Sequence, residues 1–145
     1  MAPRGPIVFF TFDPASQPRP WFDAYFPEIV GTDRTIFRPR ADFVQLGERV
    51  TGRTAVVESF ALPCDLRDRM MYAPWNQPEA YLDPAFRANT SGFSKADPQV
   101  IEKRLQQLAM DIASGAWDHQ HGALRSASEY NAGFHFASFK PRLRP

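Results

Sequence analysis

The run Pro6-Ile-Val-Phe-Phe-Thr-Phe12 constrains the fold of this chain more than any other segment. It is continuous in apolar residues, rich in β-branched and aromatic side chains, and bracketed by the breakers Gly5-Pro6 and Asp13-Pro14. A short strand of that composition is typical of an α/β protein, in which helices cover both faces of the sheet. We therefore predict a first strand at residues 6–12 that is buried on both faces.

Two more segments have strand patterns. Thr54–Leu62 is rich in β-branched residues, and Gly133–Phe139 alternates between two sets of side chains. Helical patterns at Trp21–Ile29, with a stop at Gly31, and at Arg40–Val50 separate the first two strands. Two helices are long enough for a right-handed crossover, so the first two strands are predicted to point the same way in one sheet.

Residues 64–130, called the insert below, contain no strand pattern. Helical patterns lie at Leu66–Tyr72, Pro84–Phe93 and Pro98–Ala113. The third pattern is the clearest, because Asp97 supplies an N-cap before a proline at the first helical position and Gly115 supplies a C-terminal stop. The chain is thus predicted to be α/β, with a small sheet and five or more helices.

Composition narrows the functional classes. The length of 145 residues fits one domain, 1–145, and 43% hydrophobic residues can offset the entropy of ordering despite 14 prolines. The 17 Lys+Arg and 16 Asp+Glu leave a net charge of +1, so nucleic acid and membrane surfaces are not predicted partners. A single cysteine, Cys64, excludes an internal disulfide, and no signal peptide or membrane span is visible, so the predicted location is the cytoplasm.

Several stretches, in order along nearly the whole chain, resemble the C-terminal region of class I (Rossmann-like) S-adenosylmethionine-dependent methyltransferases. They are Ala2-Pro-Arg-Gly-Pro-Ile-Val-Phe-Phe-Thr-Phe-Asp-Pro14, Ala61-Leu-Pro-Cys-Asp-Leu-Arg-Asp68, Pro78-Glu-Ala-Tyr-Leu-Asp-Pro84 with Arg87, and Ser114-Gly-Ala-Trp-Asp-His-Gln-His-Gly-Ala-Leu-Arg125. The resemblance implies a small mixed sheet of three strands in the order first, third, second, with the third antiparallel. The insert 64–130 then has both ends at the ligand rim and is expected to form a helical cap.

The resemblance implies methyl transfer from S-adenosylmethionine to a small molecule, but the cofactor motif of that family is missing. The eight glycines never fall in a G-x-G arrangement, and Met1 stands where the family is in the middle of its domain. No cofactor-binding residue can therefore be assigned, and the chain alone is expected neither to bind S-adenosylmethionine nor to be active. The alternative function is a non-catalytic binding or dimerisation module derived from a methyltransferase.

Four residues are candidates for substrate binding near the rim. Asp13 follows the first strand, where it could act as a base or orient a polar atom, or could serve only as a turn residue. Trp21, Trp75 and Trp117 lie outside the strands in segments that border the rim. Their rings could form an apolar pocket for a methyl acceptor, or could simply pack in the core.

His119 and His121 form the most ligand-like pair in the chain, and Asp118 stands beside them. Two imidazoles two residues apart can share a metal ion from an extended segment, which leaves a small metal-dependent enzyme as a remote alternative. No third ligand is indicated, so no metal is predicted, and His119 is retained only as a candidate substrate contact.

The outer edge of the first strand has no predicted neighbour. An apolar strand with an open edge is a template for association, so we expect either a homodimer or a complex with a complementary N-terminal half.

Overall fold

A computed structural model of the chain describes residues 5–16 and 20–141. Ala2–Arg4 of the first resembling stretch and the arginine-containing end at 142–145 lie outside the described residues. The strands are β1 (Ile7–Phe12), β2 (Thr54–Ser59), β3 (Leu62–Pro63), β4 (Glu129–Tyr130) and β5 (Phe134–Lys140). The α-helices are α1 (Phe22–Tyr25), α2 (Pro27–Ile36), α3 (Arg40–Thr51), α4 (Pro84–Ala88), α5 (Ser91–Lys95), α6 (Pro98–Ala113) and α7 (Ala116–His121), and two 3-10 helices cover Pro78–Leu82 and Gly122–Ser126.

The main sheet has the order β1-β5-β2, which confirms the predicted order of first, third and second strand. The strand β5 runs antiparallel to both neighbours, with Phe10 opposite Phe136 on one side and Val56 opposite Ser138 on the other. The antiparallel direction predicted for the third strand is confirmed, and only the description of the sheet as mixed does not fit its pairing. The strands β1 and β2 point the same way, but they are not neighbours, so both hydrogen-bonded pairs are antiparallel.

The second strand is shorter than predicted. It ends at Ser59, and Leu62–Pro63 pairs instead with Glu129–Tyr130 in a separate two-stranded sheet. The Cys64 N–H extends this contact by donating to the Ser128 carbonyl at 2.9 Å. The two ends of the insert are therefore hydrogen-bonded to each other beside the main sheet, while its role as a cap stays a prediction.

The predicted burial of β1 on both faces was wrong. Helix α3 covers one face of the sheet, where Phe43 packs edge-on against Phe9 at 5.5 Å between centroids. On the other face Val8 and Phe10 are 54% and 46% exposed, and Val56 of β2 is also exposed. The composition of β1 thus fits a two-sided interior, but among the described residues its side chains from Ile7 to Phe10 are exposed on both faces, Phe9 at 44% even beside α3.

Between β1 and β2, the single helix predicted at Trp21–Ile29 is replaced by the two helices α1 and α2. Pro27 starts a new helix after Phe26, and α2 then continues through Gly31, which was predicted to be a stop, as far as Ile36. Helix α3 confirms the prediction at Arg40–Val50, with Gly52 in the left-handed region at φ 64° just after its end.

Helix α6 confirms its local signals. The Asp97 side chain accepts hydrogen bonds from the N–H groups of Gln99 (2.8 Å) and Val100 (3.4 Å), as an N-cap does. Gly115 follows the end of the helix at φ 78°. The other predicted helices of the insert were less accurate, since 84–93 divides into α4 and α5, and 66–72 forms turns rather than a helix.

The core is built mainly of aromatic rings contributed by α1, α2 and the insert. Phe22, Phe26, Tyr81 and Phe93 are buried and contact one another at ring distances between 4.8 and 6.4 Å. Among the described residues no helix is both long and apolar enough to cross a membrane. The described elements therefore form a three-stranded sheet with α3 on one face and a helical, ring-filled layer beside its rim.

Candidate functional site

The carboxyl ends of β1 and β2 and the start of β5 meet at one rim of the sheet. Asp13 lies there, directly after β1. Its N–H donates to the Gly133 carbonyl at 3.0 Å, and its Oδ1 accepts from the Ala15 N–H at 3.0 Å, which is an Asx turn. Gly133 has φ 92°, and a Cβ there would lie 3.0 Å from the Asp13 carbonyl oxygen. Asp13 thus holds the turn at the rim, and a substrate contact by its second oxygen stays a prediction.

The more apolar of two cavities at the rim has a volume of about 380 Å³ and lies between β1, α2 and the insert; it is called the Asp33 cavity below. Its lining is mostly apolar, with a few hydroxyl and amide groups. The lining residues are Phe10, Thr11, Phe12, Asp33, Phe37, Met70, Met71, Tyr72, Asn89, Thr90, Ser91, Gly92 and Phe134. A concave, largely apolar site with few polar groups is typical of small-molecule binding.

Asp33 is the ionisable carboxyl group of this cavity. It lies on α2 four residues after Ile29, on the same buried side of the helix, and only 8% of it is exposed. The carboxyl makes no hydrogen bond or ion pair with the described residues. Burial, helped by the negative charge of Asp23 and opposed by Lys95, raises the pKa of Asp33 from 3.8 to about 6. Sequence reasoning missed this residue.

Two hydroxyl groups that line the Asp33 cavity are already hydrogen-bonded to other groups. The Tyr72 O–H donates to Asp23 Oδ1 at 3.2 Å, and burial keeps the pKa of Tyr72 far above its ordinary value. The Thr90 hydroxyl donates to the Phe86 carbonyl at 3.0 Å. Asp33 is therefore left as a charged acceptor that can bind a donor entering the cavity.

A second, more polar cavity of about 430 Å³ lies at the same rim on the α3 side. Asp13, Arg40, Ser59 and His135 contribute to its lining. His135 is buried, its Nδ1 is 3.4 Å from the Gly133 carbonyl oxygen, and its Nε2 has no hydrogen-bond partner among the described residues. This cavity holds the predicted residue Asp13, whereas the Asp33 cavity holds none of the predicted residues.

The three tryptophans lie in the core. Trp21 donates from Nε1 to the Trp75 carbonyl at 2.7 Å and packs edge-on against Trp117 at 5.3 Å. Trp75 stacks on Tyr130 at 5.2 Å. All three rings are buried and line neither cavity, so their positions match the packing alternative. A substrate contact by any of them would require the core to open.

The segment with His119 and His121 is helical rather than extended, since it belongs to α7. His119 is exposed and lines neither cavity. His121 packs against Trp117 at 5.5 Å, and burial lowers its pKa. Asp118 is held by Arg125 in an ion pair. Within residues 5–16 and 20–141 no group of three or more His, Cys, Asp or Glu side chains could hold a metal ion.

Three of the described glycines are packed closely against other parts of the protein. A Cβ at Gly47 would overlap the Phe139 ring, one at Gly92 would meet Ile29 and Met71, and one at Gly133 would meet Ser16 and Asp13. Close approach at each of these glycines is therefore taken up by the protein itself. The expectation that the chain alone binds no S-adenosylmethionine stays a prediction.

The sheet order and the two rim cavities resemble those of open-sheet α/β proteins, a class that binds ligands beyond the carboxyl ends of its strands. One solved structure is similar to this chain in both sequence and fold. The chain matches a crystal structure from Anabaena variabilis, provisionally named a methyltransferase from an antibiotic biosynthesis pathway, with 33% sequence identity and a TM-score of 0.87 over 94% of this chain. The match covers 55% of that protein, so the chain spans about half its length. No protein-family model matches the sequence, and no curated protein matches it.

Proposed function

We propose that this chain is the substrate-side, C-terminal half of an S-adenosylmethionine-dependent methyltransferase that acts on a small molecule. The observation that carries the proposal is the likeness to the Anabaena protein over 94% of this chain. The order β1-β5-β2 supports it, because the resemblance implies that order with β5 reversed. The Asp33 cavity supports it as well, since it lies at the rim where such sheets bind their ligands.

In this proposal the chain binds and orients the methyl acceptor. Phe12, Phe37 and Tyr72 supply apolar surface to the Asp33 cavity, whose walls come from β1, α2 and the insert. Fixing the acceptor in one orientation is the main contribution a protein makes to a transfer between two bound molecules. S-adenosylmethionine, the methyl donor of this class, is bound in this proposal by a complementary polypeptide, because the sequence has no G-x-G turn to bind it.

The partners in this proposal are a small-molecule methyl acceptor and a cofactor-binding half. Neither nucleic acid nor a membrane is a partner, in keeping with a net charge of +1. The cytoplasm is the proposed location, because a reducing compartment suits the single cysteine Cys64.

One observation favours a second candidate function. The exposed apolar side chains Val8, Phe9 and Phe10 on β1 would suit a non-catalytic dimerisation or binding module derived from a methyltransferase. The metal-dependent alternative has no such support, because Asp118 is paired with Arg125 and His121 packs against Trp117.

The isolated chain is expected to bind S-adenosylmethionine weakly or not at all. Isothermal titration calorimetry with the purified chain measures this directly, and S-adenosylhomocysteine serves as a second ligand with the same nucleoside. Little or no heat is expected with either ligand. A micromolar dissociation constant for the chain alone would show that the cofactor site lies within it, contrary to the proposal.

The activity itself is tested by complementation. The full chain is mixed with the part of the Anabaena protein that lies outside the match, and transfer of a labelled methyl group to a panel of small molecules is followed. Labelled product is expected from the mixture and from neither polypeptide alone. A stable complex of the two that binds S-adenosylmethionine but methylates no member of the panel would count against the substrate-side role and favour the binding module.

A further inference from the structure

We propose that the Asp33 cavity binds small molecules that carry an amine on an apolar body, with the ammonium group beside the Asp33 carboxylate. This inference rests on the proposed function in one respect only, namely that the bound amine is the methyl acceptor or its close analogue. Binding itself is a property of the chain and can be measured without any methyl transfer.

The first argument is the unpaired charge of Asp33. A carboxyl group that is 8% exposed and makes no hydrogen bond or ion pair with the described residues is costly to ionise where it stands. The Tyr72 and Thr90 hydroxyls cannot relieve that cost, because they donate to Asp23 and to the Phe86 carbonyl. A ligand ammonium would supply the missing donor and the missing positive charge together.

The second argument is the set of aromatic rings that line the same cavity as the Asp33 carboxyl. Phe12 lies at the centre, with Phe37 edge-on at 5.8 Å and Tyr72 stacked at 5.3 Å. The faces of such rings attract cations and their edges pack against apolar groups. A cavity of about 380 Å³ that combines these rings with one carboxylate therefore suits an arylalkyl amine.

The third argument is the charge that surrounds Asp33. The titratable groups that act on it are Asp23 on α1, Lys95 at the end of α5, and Tyr72 in the insert. Tyr72 stays neutral, and the two carboxyl groups outnumber the one lysine. An anionic ligand would thus meet net repulsion, and a neutral alcohol would gain one hydrogen bond without the charge attraction.

The probes are 2-phenylethylamine, 2-phenylethanol and 3-phenylpropanoate, which share a ring and differ in the charge of the head group. Binding to the full chain is measured by NMR titration near neutral pH. The amine is expected to bind at least about tenfold tighter than the alcohol, because hydrogen bonds to charged groups are stronger than neutral ones. The carboxylate is expected not to bind.

The variant Asp33→Asn should lose this preference, so that the amine binds no better than the alcohol. Asp42→Asn is the matched control, because it makes the same substitution at an exposed position of α3 that lines neither cavity, and it should leave amine binding unchanged. Affinity of the unchanged chain for the amine should also fall as the pH drops through 6, where the Asp33 carboxyl takes up a proton.

Equal binding of amine and alcohol, full amine affinity in Asp33→Asn, or no amine binding at millimolar concentration would each overturn the inference. Its failure is distinct from failure of the proposed function. Selective amine binding without methyl transfer in the complementation experiment would leave the amine site standing and remove the methyltransferase role. Methyl transfer to a carboxylate or an alcohol without amine binding would support the methyltransferase role and remove the amine site.

Discussion

Replacing Asp33 by asparagine is expected to stabilise the folded chain at neutral pH. Burial raises the pKa of this carboxyl from 3.8 to about 6, so the folded state favours the neutral form. At pH 7 the group is ionised in both folded and unfolded chains, and the ionised form is the one that burial penalises. At 1.36 kcal/mol per pKa unit, removal of the charge should raise the free energy of unfolding by about 2 kcal/mol, after allowance for the cost of burying the amide.

The pH dependence of this effect has a definite sign. The stabilising contribution of neutral Asp33 is fully present below 3.8 and is lost as the pH rises through about 6. Urea unfolding at a series of pH values should therefore give Asp33→Asn and the unchanged chain similar stability at the acid end of the range and a growing difference up to pH 7. A variant less stable than the unchanged chain at pH 7 would mean that the carboxylate has a favourable partner in the folded state.

Glu28 provides the control for that experiment, because it lies on the same helix and behaves in the opposite way. The hydrogen bonds from Arg104 hold its pKa below the ordinary value. The stability contributed by ionised Glu28 is present at pH values above its pKa in the unfolded chain. It is lost as the pH falls through its lower pKa in the folded chain. Glu28→Gln should thus lower the free energy of unfolding at pH 7. The decrease should be small, because the Arg104–Glu28 ion pair is partly exposed to solvent. A higher free energy of unfolding in both Asp33→Asn and Glu28→Gln would indicate a general effect of removing negative charge.

A stabilising change at Asp33 also sharpens the amine experiment. Loss of amine binding in a variant that is more stable than the unchanged chain cannot be ascribed to unfolding. A buried charge that weakens the fold while lining a cavity is the pattern expected of a group kept for ligand binding.

Helix α6 shows what local sequence can predict. The cap at Asp97, the proline after it, the apolar residues at helical spacing and Gly115 all act within a few residues of one another. Nothing distant is needed to place its ends. The strand order of the main sheet is different in kind, because it followed from the family resemblance and not from any local pattern.

Helix α2 shows why the cavity was missed. Glycine within a helix costs about 1 kcal/mol relative to alanine, and the burial of Ile29 and Val30 outweighs that cost. Reading Gly31 as a stop therefore placed Asp33 outside any helix. With the helix continued, Asp33 falls four residues after Ile29 on the buried stripe, and a charged residue at such a position is a detectable signal.

The positions of the tryptophan rings could not be predicted from sequence for a different reason. Whether Trp21, Trp75 and Trp117 pack in the core or face a ligand depends on the path of the insert, which no local pattern encodes. The exposure of Val8 and Phe10 depends likewise on what covers the sheet. Composition can state that a strand suits burial, but it cannot name the neighbour that buries it.

The open edge of β1 is expected to determine the oligomeric state of the chain. Within residues 5–16 and 20–141 the outer edge of β1 pairs with no strand, and no charged residue or internal proline interrupts Ile7–Phe12 to protect it. The other edge of the sheet, β2, carries Glu58 and is bordered by Arg53. Association is therefore expected at β1.

We expect the purified chain to dimerise by pairing β1 with β1 of a second copy about a two-fold axis. Such a pair is antiparallel, joins the two sheets into one, and brings the exposed rings of Phe10 toward the partner copy. A cofactor-binding half would compete for the same edge. In its absence, mass action should favour the homodimer at micromolar concentration.

The variant Val8→Lys tests this arrangement, with Val50→Lys as the matched control. Both valines are exposed, at 54% and 75%, but Val8 lies in the edge strand and Val50 near the end of α3. Light scattering after size exclusion should give twice the 16.5 kDa chain mass for the unchanged protein and for Val50→Lys, and the single mass for Val8→Lys. A charge introduced at an edge has this effect because the lysines of two facing strands repel each other and must be desolvated when the strands pair.

A mass near 16.5 kDa for the unchanged chain across a range of concentrations would show that the edge of β1 is protected within one copy. Equal dimerisation of the unchanged chain, Val8→Lys and Val50→Lys would place the interface elsewhere.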